Sequence, residues 1–199
     1  MVEGQWIANW NESNSSGKFE RMPTTFRDRV TADGSSGFKA EAGRYHLYVS
    51  LGCPWAHRTL ITRELKGLNE VISVSIADAV LGDKGWRFSI PPEAPDSSAT
   101  CVLYLPEVYL KADPKCTGRV TVPVLWDEQT QTIVNNESRE IMRMLDVEFA
   151  ELATQNVDLY PYDLQQIVDE TIDKIYLPIN AGVYRAGFAT SQAAYEEAV

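Results

Sequence analysis

The segment Ser50-Leu51-Gly52-Cys53-Pro54-Trp55-Ala56-His57-Arg58-Thr59 sets one thiol between an apolar strand pattern and the first turn of a helix pattern. Cysteine reacts as its thiolate, and the unpaired N–H groups and positive dipole end at a helix N-terminus favour that anion over the thiol. Pro54 suits the first helical position, where its missing N–H costs nothing and its φ is already helical, so Cys53 is expected at the N-cap. Ala56 stands where a Cys-x-x-Cys oxidoreductase would carry its second cysteine. The resolving thiol must therefore come from another molecule. His57 lies four residues after Cys53, one helical turn on, where a surface or packing role competes with tuning of the thiol.

The elements around Cys53 follow from periodicity. Residues 45–49 are aromatic and β-branched, as strands are. Trp55, Ala56, Leu60, Ile61, Leu65 and Leu68 recur at helical spacing over 54–67, with Gly67 as a C-terminal cap. A second strand is expected at 71–76, completing a βαβ unit. Residues 81–103 hold Gly82, Gly85, Pro91, Pro92 and Pro95 and read as a long loop, with a short helix expected over 106–112. A strand is expected over 119–127; Pro123 marks its entry point, and Val122–Pro123 is a candidate cis bond. A turn at 127–130 and a hairpin strand at 131–134 follow. Asn135-Asn136-Glu137-Ser138 then starts a helix with Ile141, Met144 and Leu145 on one face. This βαβ–ββα order, with a thiol at the first helix and a proline before the third strand, is the thioredoxin-like layout.

Outside that body, 1–43 reads as an extended arm whose aromatics Trp6, Trp10, Phe19, Phe26 and Phe38 dock elsewhere. Residues 44–147 form the α/β domain and 148–160 a linker. Residues 161–199 begin an all-α domain, with Leu164, Ile167, Val168, Ile172 and Ile175 marking one amphipathic helix and Ser191 capping another. The helical pattern breaks off at Val199 without a capping glycine, so this domain is expected to be incomplete.

Composition narrows the function classes. With 18 basic and 28 acidic residues in 199, the net charge is −10, and the scattered basic residues fit neither a nucleic-acid surface nor a polybasic membrane patch. Cys53, Cys101 and Cys116 are an odd number without a secretory pattern, which predicts reduced thiols and a cytoplasmic setting. No stretch has the length of a membrane span. The two histidines and unpaired cysteines match no zinc spacing, so no metal is expected.

The segments Ala40-Glu41-Ala42-Gly43-Arg44-Tyr45-His46-Leu47-Tyr48-Val49, Cys53-Pro54-Trp55-Ala56-His57-Arg58, Gly85-Trp86-Arg87-Phe88, Thr117-Gly118-Arg119-Val120-Thr121-Val122-Pro123-Val124-Leu125-Trp126-Asp127, Val134-Asn135-Asn136-Glu137-Ser138 and Asn180-Ala181-Gly182-Val183-Tyr184-Arg185-Ala186-Gly187-Phe188 resemble the glutathione transferase superfamily. Within it they are most similar to the Xi class, the glutathionyl-hydroquinone reductases. The resemblance implies an enzyme with a thioredoxin-like domain followed by a helical transferase domain, glutathione as co-substrate, glutathionylated hydroquinones as substrates and possible homodimers. It makes Cys53 the nucleophile that attacks the glutathionyl sulfur, releases hydroquinone and leaves a mixed disulfide for a second glutathione to resolve.

By the same resemblance Trp86 packs on glutathione and Arg119 pairs with one of its carboxylates. Val122 pairs its backbone with the cysteinyl part, as a strand edge pairs with a peptide. Glu137 meets the γ-glutamyl ammonium, Ser138 holds the γ-glutamyl carboxylate, and Tyr184 faces the aromatic substrate. Cys116 stands where the family more typically has an aromatic, and the 91–101 region matches poorly. The competing reading is a truncated, catalytically weak module that binds glutathione or docks on a partner.

Overall fold

The structure, a computed structural model, describes residues 1–8, 13–89 and 102–199. Trp10, Pro91, Pro92, Pro95 and Cys101 lie outside the described residues. The chain divides into two compact units, Met1–Ala8 with Thr24–Asp158, and the described part of 9–23 with Leu159–Val199.

In the first unit, two short strands, β1 (Val30–Thr31) and β2 (Phe38–Lys39), pair in parallel ahead of the main sheet. That sheet is built from β3 (Tyr45–Val49), β4 (Ile72–Ile76), β5 (Val124–Asp127) and β6 (Thr132–Asn135), in the order β4-β3-β5-β6. β3 and β4 are parallel, joined through helix α1 (Pro54–Leu65), while β5 runs antiparallel to both β3 and β6. Helix α2 (Leu105–Ala112) precedes β5, and α3 (Ser138–Arg143) follows β6 and continues as a π-helical turn over Met144–Glu148. This is the thioredoxin-like order expected from the sequence. Every residue of β3 is buried, and Leu125, Val134, Ile141, Leu145 and Phe149 close the core around it.

Three features of this unit differ from the periodicity reading. Ile61 and Leu65 of α1 are exposed, and the helix instead buries Trp55, Ala56, Thr59 and Thr62. The two threonines are tolerated inside because their hydroxyls donate to the carbonyls of Ala56 (2.7 Å) and Arg58 (3.0 Å). The strand expected over 119–127 begins only at Val124. Ahead of it Gly118 has φ +152°, Val122–Pro123 is cis, and Thr121 spends its N–H and carbonyl on the Tyr109 hydroxyl (3.2 and 2.9 Å) rather than on a neighbouring strand. Asn136 Nδ2 also donates to that hydroxyl (3.0 Å), so one buried phenol satisfies both loops. The arm, lastly, is shared between the units, residues 1–8 belonging to the first and 13–23 to the second.

Asp127 ends β5 in a buried bidentate ion pair with Arg44 (2.9 and 2.8 Å), and also accepts from Thr130 Oγ1 and the Gln129 N–H. Burial alone would raise this carboxyl, but Arg44 and the other donors outweigh it and hold the group below its ordinary range. At the far end of α1, Gly67 (φ +65°) closes the helix as its N–H bonds Glu64 O and the Leu68 N–H bonds Arg63 O. A Cβ there would lie 2.0 Å from Thr154 Oγ1, so this turn requires glycine. Beside it the buried Lys66 ammonium meets Asp146 (3.0 Å) and the Val157 carbonyl (2.6 Å), fixing the 150–158 segment to the end of α1.

The second unit holds α4 (Gln165–Ile175), a π-helical turn over Tyr176–Asn180, α5 (Gly182–Gly187) and α6 (Gln192–Ala198). Ser191 caps α6 by accepting from the Ala194 N–H at 3.2 Å, as its residue type predicts. Ser13 and Gly17 bond the backbone at Phe188 and Thr190, and Phe19 stacks on Tyr184 and Phe188 with ring centroids 6.3 and 5.4 Å away. None of the described helices is long and apolar enough to cross a membrane.

Candidate active site

Cys53 occupies the N-cap of α1 with extended dihedrals (φ −102°, ψ 111°), and Pro54 follows at the first helical position. Its N–H bonds Ser50 O (3.1 Å) and its carbonyl accepts from the His57 N–H (2.9 Å), so the strand–turn–helix junction is fixed on both sides of the thiol. The sulfur is half-buried and donates toward the Val122 carbonyl at 3.6 Å. Residues 69 positions apart are thus brought together, the thiol and the backbone expected to pair with a bound peptide. The His57 side chain is exposed.

A second cluster forms where α3 begins. Glu137 is the N-cap, accepting from the Arg139 N–H (3.3 Å), while its own N–H bonds Asn135 Oδ1 (2.7 Å). The buried Ser138 hydroxyl receives Arg58 Nε (3.1 Å) and an Arg58 terminal nitrogen (2.6 Å) and donates toward Glu137 Oε1 (3.5 Å). Arg58 also lies 3.8 Å from the Glu137 carboxylate and 4.8 Å from the centre of the Trp55 ring. Helix α1 therefore supplies both Cys53 and the cation against Glu137 and Ser138. Sequence reading passed over Arg58 as a site residue. Its partner lies 80 positions away, and a lone arginine on a helix carries no local signal of such a contact.

Trp86 and Arg119 sit on two loops tied down by the first residues of the chain. The half-buried Trp86 packs against the core, and its carbonyl accepts the Leu105 N–H (2.9 Å). Three residues earlier, Asp83 O accepts Trp6 Nε1 at 2.7 Å. Arg119 is exposed next to Gly118, whose carbonyl holds the Met1 ammonium (2.7 Å) and whose N–H bonds Met1 O (3.0 Å). Burial lowers the pKa of that ammonium, and the charge of Arg119 acts in the same direction. Tyr184 belongs to the second unit and is half-buried in the stack with Phe19 and Phe188. Among the described residues no group of three or more His, Cys, Asp or Glu could hold a metal ion.

Residues 52–148 match the family model for the glutathione S-transferase N-terminal domain, beginning one residue before Cys53 and ending with the π-helical turn. The whole chain aligns at 49% identity with glutathionyl-hydroquinone reductase YqjG of Escherichia coli, covering 63% of that protein. It aligns at 45% with glutathionyl-hydroquinone reductase PcpF of Sphingobium chlorophenolicum, covering 62%. Among solved structures, a Xi class transferase from Natrialba magadii superposes with a TM-score of 0.87 at 54% identity, over 100% of this chain and 60% of that one. The chain belongs to the Xi class of the glutathione transferase superfamily. A glutathione-bound structure of YqjG matches with a TM-score of 0.79 at 52% identity, over 87% of this chain and 59% of that one. This Xi class chain thus spans a little under two thirds of the length of the relatives it matches.

Proposed function

We propose that this chain is a glutathione-dependent thiol reductase that removes glutathione from glutathionyl-hydroquinones. The observation that carries the reading is the half-buried Cys53 sulfur at the N-terminus of α1, 3.6 Å from the Val122 carbonyl, in a chain 49% identical to a protein named for that activity.

In this reading the Val122 carbonyl accepts the cysteinyl N–H of glutathione once the Cys53 proton has left for solvent. The bound sulfur is thereby set beside Cys53. The Cys53 thiolate attacks the glutathionyl sulfur of a glutathionyl-hydroquinone. As the new S–S bond forms, the sulfur–aryl bond breaks and its electron pair passes to the ring carbon, which takes up a proton to give hydroquinone. The thiolate of a second glutathione then attacks the mixed disulfide, releasing glutathione disulfide and regenerating the Cys53 thiolate. Net, one glutathione conjugate and one glutathione become hydroquinone and glutathione disulfide.

Glu137 and Ser138 take the γ-glutamyl end, Trp86 and Arg119 the remaining peptide, and Tyr184 the aromatic part of the substrate. The setting is cytoplasmic, in keeping with reduced thiols. Chromatographic release of hydroquinone from a glutathionyl-hydroquinone tests the proposal. Cys53→Ala is expected to abolish it, and unchanged turnover in that variant refutes the mechanism. Glutathione binding without any turnover by the unaltered chain would favour the binding-module reading instead.

A further inference from the structure

Building on the glutathione reading above, we propose that Arg58 is a specificity-determining positioning residue that makes the Glu137–Ser138 cluster select a ligand with a free α-carboxylate beside an α-ammonium. The argument starts from the inventory of one hydroxyl group. A serine hydroxyl accepts at two lone pairs and donates one hydrogen, whereas a guanidinium only donates. Arg58 places two donors on Ser138 Oγ, at 3.1 and 2.6 Å. Both fall on the accepting side, so the hydroxyl hydrogen must point elsewhere. It points toward Glu137 Oε1 at 3.5 Å, at the long limit of a hydrogen bond. Ser138 is thereby held as a donor awaiting a better acceptor.

The charges around it complete the selection. Arg58 and Glu137 lie 3.8 Å apart with side chains about a quarter exposed, 25% and 22%, so each still faces the solvent from which a ligand arrives. A carboxylate at Ser138 takes the hydroxyl hydrogen in a charge-assisted bond and gains the field of Arg58. An ammonium on the same carbon meets Glu137. A head group lacking the carboxylate offers the Ser138 hydrogen no anionic partner. Lysine does not substitute fully, because it lacks the planar fork that reaches Ser138 with two nitrogens and lies over the Trp55 ring at 4.8 Å.

The test compares peptides as well as variants. The full 199-residue chain and its Arg58→Met and Arg58→Lys forms are titrated calorimetrically with glutathione and with 4-aminobutyryl-cysteinyl-glycine, which is glutathione without its α-carboxylate. The unaltered chain is expected to prefer glutathione by about tenfold or more, the effect of a charge-assisted hydrogen bond. Arg58→Met is expected to lose that preference by weakening glutathione alone, and Arg58→Lys to recover part of it. Equal weakening of both peptides in Arg58→Met, or an undiminished preference in either variant, overturns the proposal and leaves Arg58 a structural residue. Failure of the unaltered chain to bind either peptide overturns the glutathione reading itself, and this inference with it.

Discussion

The two compact units solve the problem of burial in opposite ways. In the first, polar groups go inside with their partners: Asp127 with Arg44, Lys66 with Asp146, Tyr109 between Thr121 and Asn136, and Ser138 beneath Arg58. In the second, the buried apolar side chains among the described residues are the small ones of Ala181 and Ala194, while Ile167, Leu177 and Ile179 are about 60% exposed. The first unit is thus a core built over long sequence separations. The second is held by hydrogen bonds within its helices, the Ser191 cap, and the polar and aromatic contacts that Ser13, Gly17, Lys18 and Phe19 make with residues 184–197. A site whose ligand contacts must stay within tenths of an ångström belongs on the first kind of scaffold.

The contrast can be broken at the Arg44–Asp127 pair. Asp127→Asn takes the bidentate partner from the buried Arg44 guanidinium and leaves it only the single carboxylate contact with Glu41 at 3.0 Å, and is expected to lower stability by about 3–5 kcal/mol in chemical denaturation. A loss below 1 kcal/mol would mean that water or the nearby Glu41 takes over, and that buried polar pairing does not organise this unit.

A somewhat smaller effect is expected with pH. His46 of β3 is buried between Ser73 Oγ (2.7 Å) and Ser75 Oγ (2.9 Å), and burial, with the charge of Arg63, pushes its imidazole down to about 4 from 6.5. The unfolded chain therefore binds this proton before the folded one does. The stability from keeping His46 neutral is complete above pH 6.5, declines as pH falls toward 4, and amounts to on the order of 3 kcal/mol. Unfolding midpoints measured across that window should flatten in His46→Gln. An equally steep decline in the variant would assign the acid sensitivity to other groups.

The smallest change should come from the second unit. Ile167→Gln on α4 exchanges a side chain already 60% exposed, so thermal unfolding of the chain is expected to shift by no more than about 0.5 kcal/mol. A loss above 2 kcal/mol would show that this face is covered in solution and that the contrast between the units is overstated.

What was legible in the sequence tracks the range of the forces involved. The strand–Cys53–Pro54–helix junction, the Gly67 stop, the Ser191 cap and the ββα ending are set by residues within a few positions of one another. Their elements fall within a few residues of where the pattern places them. The inward face of α1 was misread because Thr59 and Thr62 count as polar until their hydroxyls are seen bonded to the preceding turn. The 119–123 segment has the composition of a strand, but its backbone partners are the Tyr109 hydroxyl and the Cys53 thiol, supplied by residues 12 and 69 positions away. Arg58 escaped notice for the same reason. The family resemblance supplied what periodicity lacked, naming Trp86, Arg119, Glu137 and Ser138 from motifs far apart in the chain.

The account stands most directly on the sulfur of Cys53. Incubating the chain with glutathione disulfide and mapping the products by peptide mass spectrometry should place a glutathione adduct on Cys53 while the buried Cys116 remains free. An adduct on Cys116 in place of Cys53, or none at all while a small alkylating reagent still modifies Cys53, would contradict the claim that this thiol faces a glutathione site.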